Sequence, residues 1–278
     1  MNVWQVCKQI KYLLQQRKWE NDASGDVVFN ANSVNVTVGP MEQAFATMIT
    51  PVALIRPGAA TSDPTHDEEP NLIMQSLGVM LSVVVPGDEI GENALLGAGR
   101  QSQTSSKGRG LLEVEEELYA SISLLNSVNG LEVYNRAKSD AVAELVDETR
   151  YSAYREYTFE VLCTSERFYP SVTRMTAVDA AGAGDATITY LHAPIRFDIT
   201  EARILRVSGA TPTTNPTDGS ATVVAAGGGA LTLGIKTVTD SPTAGQFSYS
   251  VWQAYDETGN GTVDRYSDSA ATATVTVT

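Results

Sequence analysis

Val3, Val6, Cys7, Ile10, Leu13 and Leu14 fall on one side of a 3.6-residue period, which predicts an amphipathic helix from Asn2 to Lys18. Asn2 and Gln5 stand at capping-box spacing, each side chain placed to accept the other residue's backbone N–H. After a polar, Asn-rich stretch, Pro51-Val-Ala-Leu-Ile-Arg56 predicts a short strand that Pro57-Gly58 ends, and the acidic segment Thr61 to Pro70 predicts a loop. Leu72 to Val85 is apolar on both faces of its two-residue period and stops at Pro86-Gly87. Such a strand needs cover on both sides: helices on one, and either a neighbouring subunit or its own monomer on the other. Leu111, Val114, Leu118, Ile122 and Leu125 predict a second helix. Ala141 to Asp147 predicts a strand, Asp147-Glu-Thr-Arg150 a hairpin turn, and Tyr157, Phe159, Val161 and Cys163 alternate with polar residues as a half-exposed strand does. The order helix, strand, long strand, helix, strand, strand predicts an α+β domain over residues 1–168, a mixed sheet packed by helices.

At Tyr169-Pro170 the pattern changes. Thr supplies 9 of the first 170 residues but 20 of the last 108. Strands are predicted at Ala186 to His192, Phe197 to Val207, Ala221 to Ala226, Leu231 to Val238, Phe247 to Tyr255, Thr262 to Tyr266 and Ala271 to Val277, with Gly, Asn-Pro and Asp-Gly turns between them. About seven short strands in this length predict an antiparallel β-sandwich over 185–278. Residues 169–184 are read as a linker or a first strand.

Charge narrows the function classes. The net −14 divides into −10 before the switch (13 basic, 23 acidic) and −4 after it (6 basic, 10 acidic). Neither part has the Lys/Arg concentration that displaces counterions from phosphate, so a nucleic-acid grip is not expected. No run reaches the 18 or so apolar residues of a membrane helix, no leader pattern stands at the N-terminus, and a reducing cytoplasm is the expected site of synthesis. Cys7 and Cys163 lack zinc or redox spacing and read as small buried apolar residues.

Candidate chemistry is sparse. Glu113, Glu115, Glu116 and Glu117 could suggest a metal site, but consecutive helical carboxylates point in different directions. They read as a solvated first turn favoured by the helix dipole. In the Gly97 to Gly110 segment Lys107 precedes its glycine and no Ser or Thr follows, so the Walker pattern fails. Its charges, Arg100, Lys107 and Arg109, read as a loop that is either plainly solvated or ordered on a partner. Asp256 to Asp264 has Asp, Asn, Gly and Asp at positions 1, 5, 6 and 9 of a calcium loop, but Thr258 and Ser267 at positions 3 and 12, so a hairpin turn is expected. His66 and His192 are the only histidines, neither beside a recognisable nucleophile. No enzyme, cofactor or metal is expected.

The element order, the acidic loop between the first two strands, the long strand ending at Pro86-Gly87, the glutamate-rich helix and the closing Glu156-Tyr-Thr-Phe-Glu-Val-Leu162 together resemble the tail terminator (tail-completion) proteins of long-tailed bacteriophages, over residues 1–168. This resemblance implies a structural virion protein, assembled in the host bacterial cytoplasm. Six copies would ring the end of the tail tube and join it to head-completion proteins, with DNA passing the lumen. The Gly97 to Gly110 loop looks longer than that fold needs. Phe247 to Asn260 with the final strand is similar to the last hairpin of fibronectin type III and related immunoglobulin-like domains, which implies a surface appendage. The alternative is that the sandwich recognises a host-surface glycan or protein, with Tyr255 and Tyr266 as aromatic candidates.

Overall fold

The N-terminal helix forms as its cap dictates. Asn2 Oδ1 accepts the Gln5 N–H at 3.0 Å and Gln5 Oε1 accepts the Asn2 N–H at 3.3 Å. This α1 spans Val3–Gln16 and buries Val6, Cys7, Ile10, Leu13 and Leu14. The computed structural model describes residues 1–19, 25–37, 50–62, 72–86, 92–97, 109–127, 131–147, 150–164, 166–167, 169–180, 184–192, 196–225 and 234–278. The protein is mostly β-sheet, and the chain divides into two units, Met1–Phe168 and Tyr169–Thr278.

Unit 1 is built on two long strands, β3 (Leu72–Pro86) and β6 (Arg150–Thr164), paired antiparallel without a register break from Leu72↔Thr164 to Pro86↔Arg150. β2 (Val52–Ser62) pairs with β3, and β1 (Val34–Val36) runs parallel to β2. On the far side of β6, β4 (Val133–Lys138) and β5 (Val142–Asp147) follow one another along the same edge. β2 does not stop at Pro57-Gly58 as expected: it crosses them on a register shift between Pro57 and Ala60. A bulge lets a strand accommodate Pro, whose missing N–H would otherwise break the ladder. β1 and β4 lie outside the sequence expectations; three residues, and a strand with its far edge in solvent, leave little hydrophobic period to read.

Alternation divides the sheet's faces. Leu77, Val79, Leu81 and Val83 of β3 and Ala153, Tyr157, Phe159 and Val161 of β6 are buried on one side, which α1 and α3 (Leu111–Ser123) cover; a short α2 (Glu92–Leu96) packs beside them. The opposite face mixes a buried patch of Val52, Leu54 and Met80, packed by Tyr154, with half-exposed polar positions. Gly110, the residue before α3, lies so close to Leu95 O and Gly97 N that a Cβ would overlap both.

Unit 2 has β7 (Thr173–Ala180), β8 (Asp185–His192) and β11 (Gly234–Asp240) in one sheet, ordered β11-β8-β7. The other sheet orders β10 (Thr222–Ala225), β9 (Ile199–Ser208), β12 (Gly245–Tyr255) and β13 (Arg265–Tyr266), with β14 (Ala271–Val277) also on β12. Within 169–184, then, 173–180 is a strand. Inner residues of both sheets form one core: Ile188 and Tyr190 from the first, Ile204, Tyr249, Val251 and Val275 from the second. Asp240 at the end of β11 clasps the sheets. Its carboxylate accepts the Tyr249 hydroxyl at 2.9 Å and pairs with Arg206 at 2.6 Å. Burial and then Asp240 push the Tyr249 phenol well above its usual pKa, so it remains a donor.

Tyr249→Phe removes one charge-assisted hydrogen bond, and the expected loss is about 1.5–3 kcal/mol. A urea unfolding midpoint unchanged from the parent would contradict the clasp.

Candidate assembly surfaces

Among the described residues of unit 1, charged side chains tie one element to another. Glu115 and Glu117 of α3 are buried, contrary to the solvated first turn expected for this run. Glu115 pairs with Arg155 of β6 at 2.7 Å and Lys138 of β4 at 2.9 Å, while Glu117 pairs with Arg17 at the end of α1. Glu116 is exposed, as expected for this run, and Glu113 behaves as a first-turn carboxylate, accepting the Gly110 N–H at 3.2 Å. Sequence could not show this, because the cations lie 23, 40 and 100 residues away. Burial alone would raise the Glu115 pKa. The hydrogen bond from Lys138, the nearby Tyr157 hydroxyl and the charge of Arg155 outweigh it and hold the carboxyl below its ordinary value.

Arg100 and Lys107 lie outside the described residues. Arg109 is described, and its guanidinium is spent inside the chain: it sits 4.5 Å from the Trp19 ring centroid and 3.3 Å from the Glu113 carboxylate, with its side chain 10% exposed. His66 lies outside the described residues, and of His192 only the backbone, in β8, is described. No group of three or more His, Cys, Asp or Glu that could hold a metal occurs among the described residues. Burial raises the thiol pKa of Cys7 to about 11 and of Cys163 to about 12, so both are protonated at neutral pH.

In unit 2, Asp256 faces inward to its own loop. Its carboxylate accepts the N–H groups of Gly259 (2.6 Å), Asn260 (3.1 Å) and Gly261 (2.6 Å), and Asp264 accepts Thr258 N–H at 3.0 Å. Burial would raise the Asp256 pKa, but these N–H groups outweigh it and lower it. Gly259 and Gly261 take φ of 74° and 83°, the left-handed region glycine tolerates. The carboxylates thus stabilise a hairpin turn. Tyr255 is fully buried, its hydroxyl shared between Gln253 Oε1 at 2.9 Å and Pro170 O, and its ring 5.1 Å from Tyr169. Tyr266 is half-buried and its hydroxyl accepts Arg203 Nη1 at 2.9 Å. Neither is a free aromatic platform for a glycan. Beside Tyr255 lies a pair invisible in the sequence: Arg196 and Asp198, both side chains wholly buried, 2.7 Å apart.

Opposite the helices, among the described residues, the sheet of unit 1 carries charged side chains beside the buried patch of Val52, Leu54 and Met80. Arg56 pairs there with Glu156 at 3.2 Å and Arg136 with Glu160 at 2.6 Å. Toward β5 the charges give way to a depression of about 300 Å³ lined by Met80, Ser82, Glu144, Leu145, Val146, Ser152 and Tyr154. Leu145 is 60% exposed and Val146 51%. A strand with exposed apolar side chains and no further strand beside it among the described residues is the kind of surface that seats a partner.

No family model matches this chain, and no curated protein matches it. Among solved structures it is similar to a Fn3-like protein from Clostridium thermocellum, 17% identical, over 40% of this chain and 92% of that one, with a TM-score of 0.25. At that score the likeness says nothing further about this chain.

Both buried ion pairs can be tested by substitution. Asp198→Ala strands a buried guanidinium and should cost about 3–5 kcal/mol, read as a fall in denaturant midpoint. Because the folded pKa of Glu115 is depressed, its stabilising contribution is present above the unfolded value of 4.5 and is lost as pH falls through the folded value. Glu115→Gln should therefore be less stable than the parent at neutral pH and converge with it in acid. A constant gap from pH 7 down to acid unfolding would refute the assignment.

Proposed function

We propose that this protein is a structural component of a bacteriophage virion. Copies of unit 1, read as an α+β domain, form a six-fold ring at the head-tail joint that ends the tail tube and contacts head-completion proteins. DNA passes through the lumen, and unit 2 stands outside as a decoration. The observation that carries the reading is the pair of exposed apolar side chains Leu145 and Val146 on β5, a strand with no further strand beside it among the described residues and with a depression against Met80, Ser82 and Tyr154. A monomeric domain seldom leaves such a strand open, whereas a ring-former uses it against its neighbour. The order of elements in residues 1–168 supports the same assignment.

Unit 2 is read as an immunoglobulin-like sandwich. With β7 to β14 taken in chain order, the first, second and fifth strands share a sheet, and the third, sixth and last share the other. The constant-type immunoglobulin layout puts the fourth strand beside the fifth; here β10 pairs with β9 instead, as the fourth strand joined to the third. The buried Tyr255 and engaged Tyr266 offer nothing in favour of the alternative host-binding reading.

The test is electron microscopy and solution mass of two chains, the whole protein and residues 1–168. Both should give six-fold rings, the whole protein with knobs on its rim. Leu145→Asp should break the ring while leaving the circular dichroism of the chain unchanged. A whole protein that stays monomeric at high concentration, or a Leu145→Asp ring as stable as the parent's, would overturn the proposal.

A further inference from the structure

Residues 1–19 carry Lys8, Lys11, Arg17 and Lys18 and no acidic residue, in a chain whose net charge is −14. The fold gives that local excess a direction. At about 100° per residue, Trp4, Lys8, Lys11 and Gln15 fall within about 60° of one another around α1, on the side away from the buried Val6, Ile10, Leu13 and Leu14. Lys8 is exposed, and Trp4 and Lys11 are half-buried. The Lys8 ammonium stands 5.6 Å from the Trp4 ring centroid, and the Arg167 guanidinium stands 4.7 Å from the same ring. One indole thus gathers two cations at the end of the row, and Lys11 continues it.

Elsewhere in unit 1 cations are matched. Arg17, Arg56, Arg109, Arg136, Lys138 and Arg155 each pair with a carboxylate. No carboxylate pairs with Lys8 or Lys11 among the described residues, and Lys11 has only a long hydrogen bond to Asn35 Oδ1 at 3.5 Å. Like charges three residues apart on a helix repel, and a counter-charge from outside the chain relieves that repulsion.

We infer that this face of α1 is a contact for nucleic-acid phosphates, with the backbone of a duplex lying along the helix. Shape and charge together argue for that occupant. The row is narrow and about 16 Å long from Trp4 to Gln15, and a duplex carries one charge per ~1.7 Å of its axis, so it offers phosphates to the row in any register. A folded acidic protein would need carboxylates set in a matching line, and planar Arg reads a carboxylate better than the point charge of Lys does. A membrane presents a plane of charge, and the apolar side of α1 is already buried and has nothing to insert. The overall shortage of Lys and Arg still stands; the fold concentrates the few that carboxylates do not take. Glu166 adjoins Arg167, so the contact rests on Lys8 and Lys11 and is weak and indifferent to sequence. It does not rest on the ring proposed for unit 1.

The probe is a fluorescein-labelled duplex of about 30 base pairs, followed by anisotropy with the whole protein at about 20 mM salt. Binding should appear, and log K should fall against log salt concentration with a slope near −2, about 0.9 for each of two phosphate contacts. Lys8→Gln with Lys11→Gln should weaken it about tenfold. Thr211→Glu with Thr214→Glu, at exposed positions in unit 2, changes the net charge equally and should leave binding within about twofold. Circular dichroism verifies that both double variants fold. No binding at low salt, or equal losses in the two double variants, would overturn the inference. So would polyglutamate or phosphatidylglycerol vesicles that bind as tightly as the duplex through the same lysines. Rings that ignore the duplex sink this inference alone, whereas a monomer that binds it supports the contact and sinks only the ring.

Discussion

Everything in unit 1 depends on the pairing of β3 with β6. Fifteen residues of each strand meet without a slip, and because side chains alternate, that single register decides which residues enter the core. A slip of β3 by one place against β6 would turn Leu77 and Leu81 out and bring Met80 and Ser82 in. The hydrophobic cost of that inversion is what holds the register, more than the individual ladder bonds, whose net worth is small. β2 on one side and β4 and β5 on the other inherit their alignment from it.

On this frame, buried charge supplies specificity. Glu115 ties a helix to two strands, Asp240 ties one sheet of unit 2 to the other, and Arg196 with Asp198 sits beside the aromatic pair Tyr169 and Tyr255. Such pairs contribute little net stability because desolvation offsets much of the attraction. Their effect lies in what they forbid: any arrangement that separates one partner from the other leaves a charge buried alone. Tyr169, the first residue of unit 2, is held by this cluster, with Arg265 stacked 3.8 Å from its ring centroid. The compositional change in the sequence therefore coincides with a residue packed within unit 2.

Legibility follows the range of the interactions. The α1 cap, the α3 stripe, the ends of β3 and the spacing of strands in unit 2 rest on neighbours within a few residues, and each can be read from the chain. Tyr157, Phe159, Val161 and Cys163 declare their inward direction because period 2 is local. The burial of Glu115 and Glu117 cannot be read, since only tertiary contact brings Lys138, Arg155 and Arg17 to them. Arg109 misleads for the same reason: a cation in a Gly/Ser-rich segment looks solvated until Trp19 is found beneath it. The threonine-lined outer face of the β7-β8-β11 sheet is visible in the chain only as a wealth of threonine. Which threonines share a face needs the pairing of β8 with β7 and β11.

The Asp256 turn has a consequence for the surroundings the protein can tolerate. Three backbone N–H groups saturate one carboxylate where a calcium loop would recruit an ion, so the loop's stiffness is intrinsic to the polypeptide. Its form should be indifferent to chelators and to hard or soft water alike. The shape of the turn is then set by the chain's own hydrogen bonds.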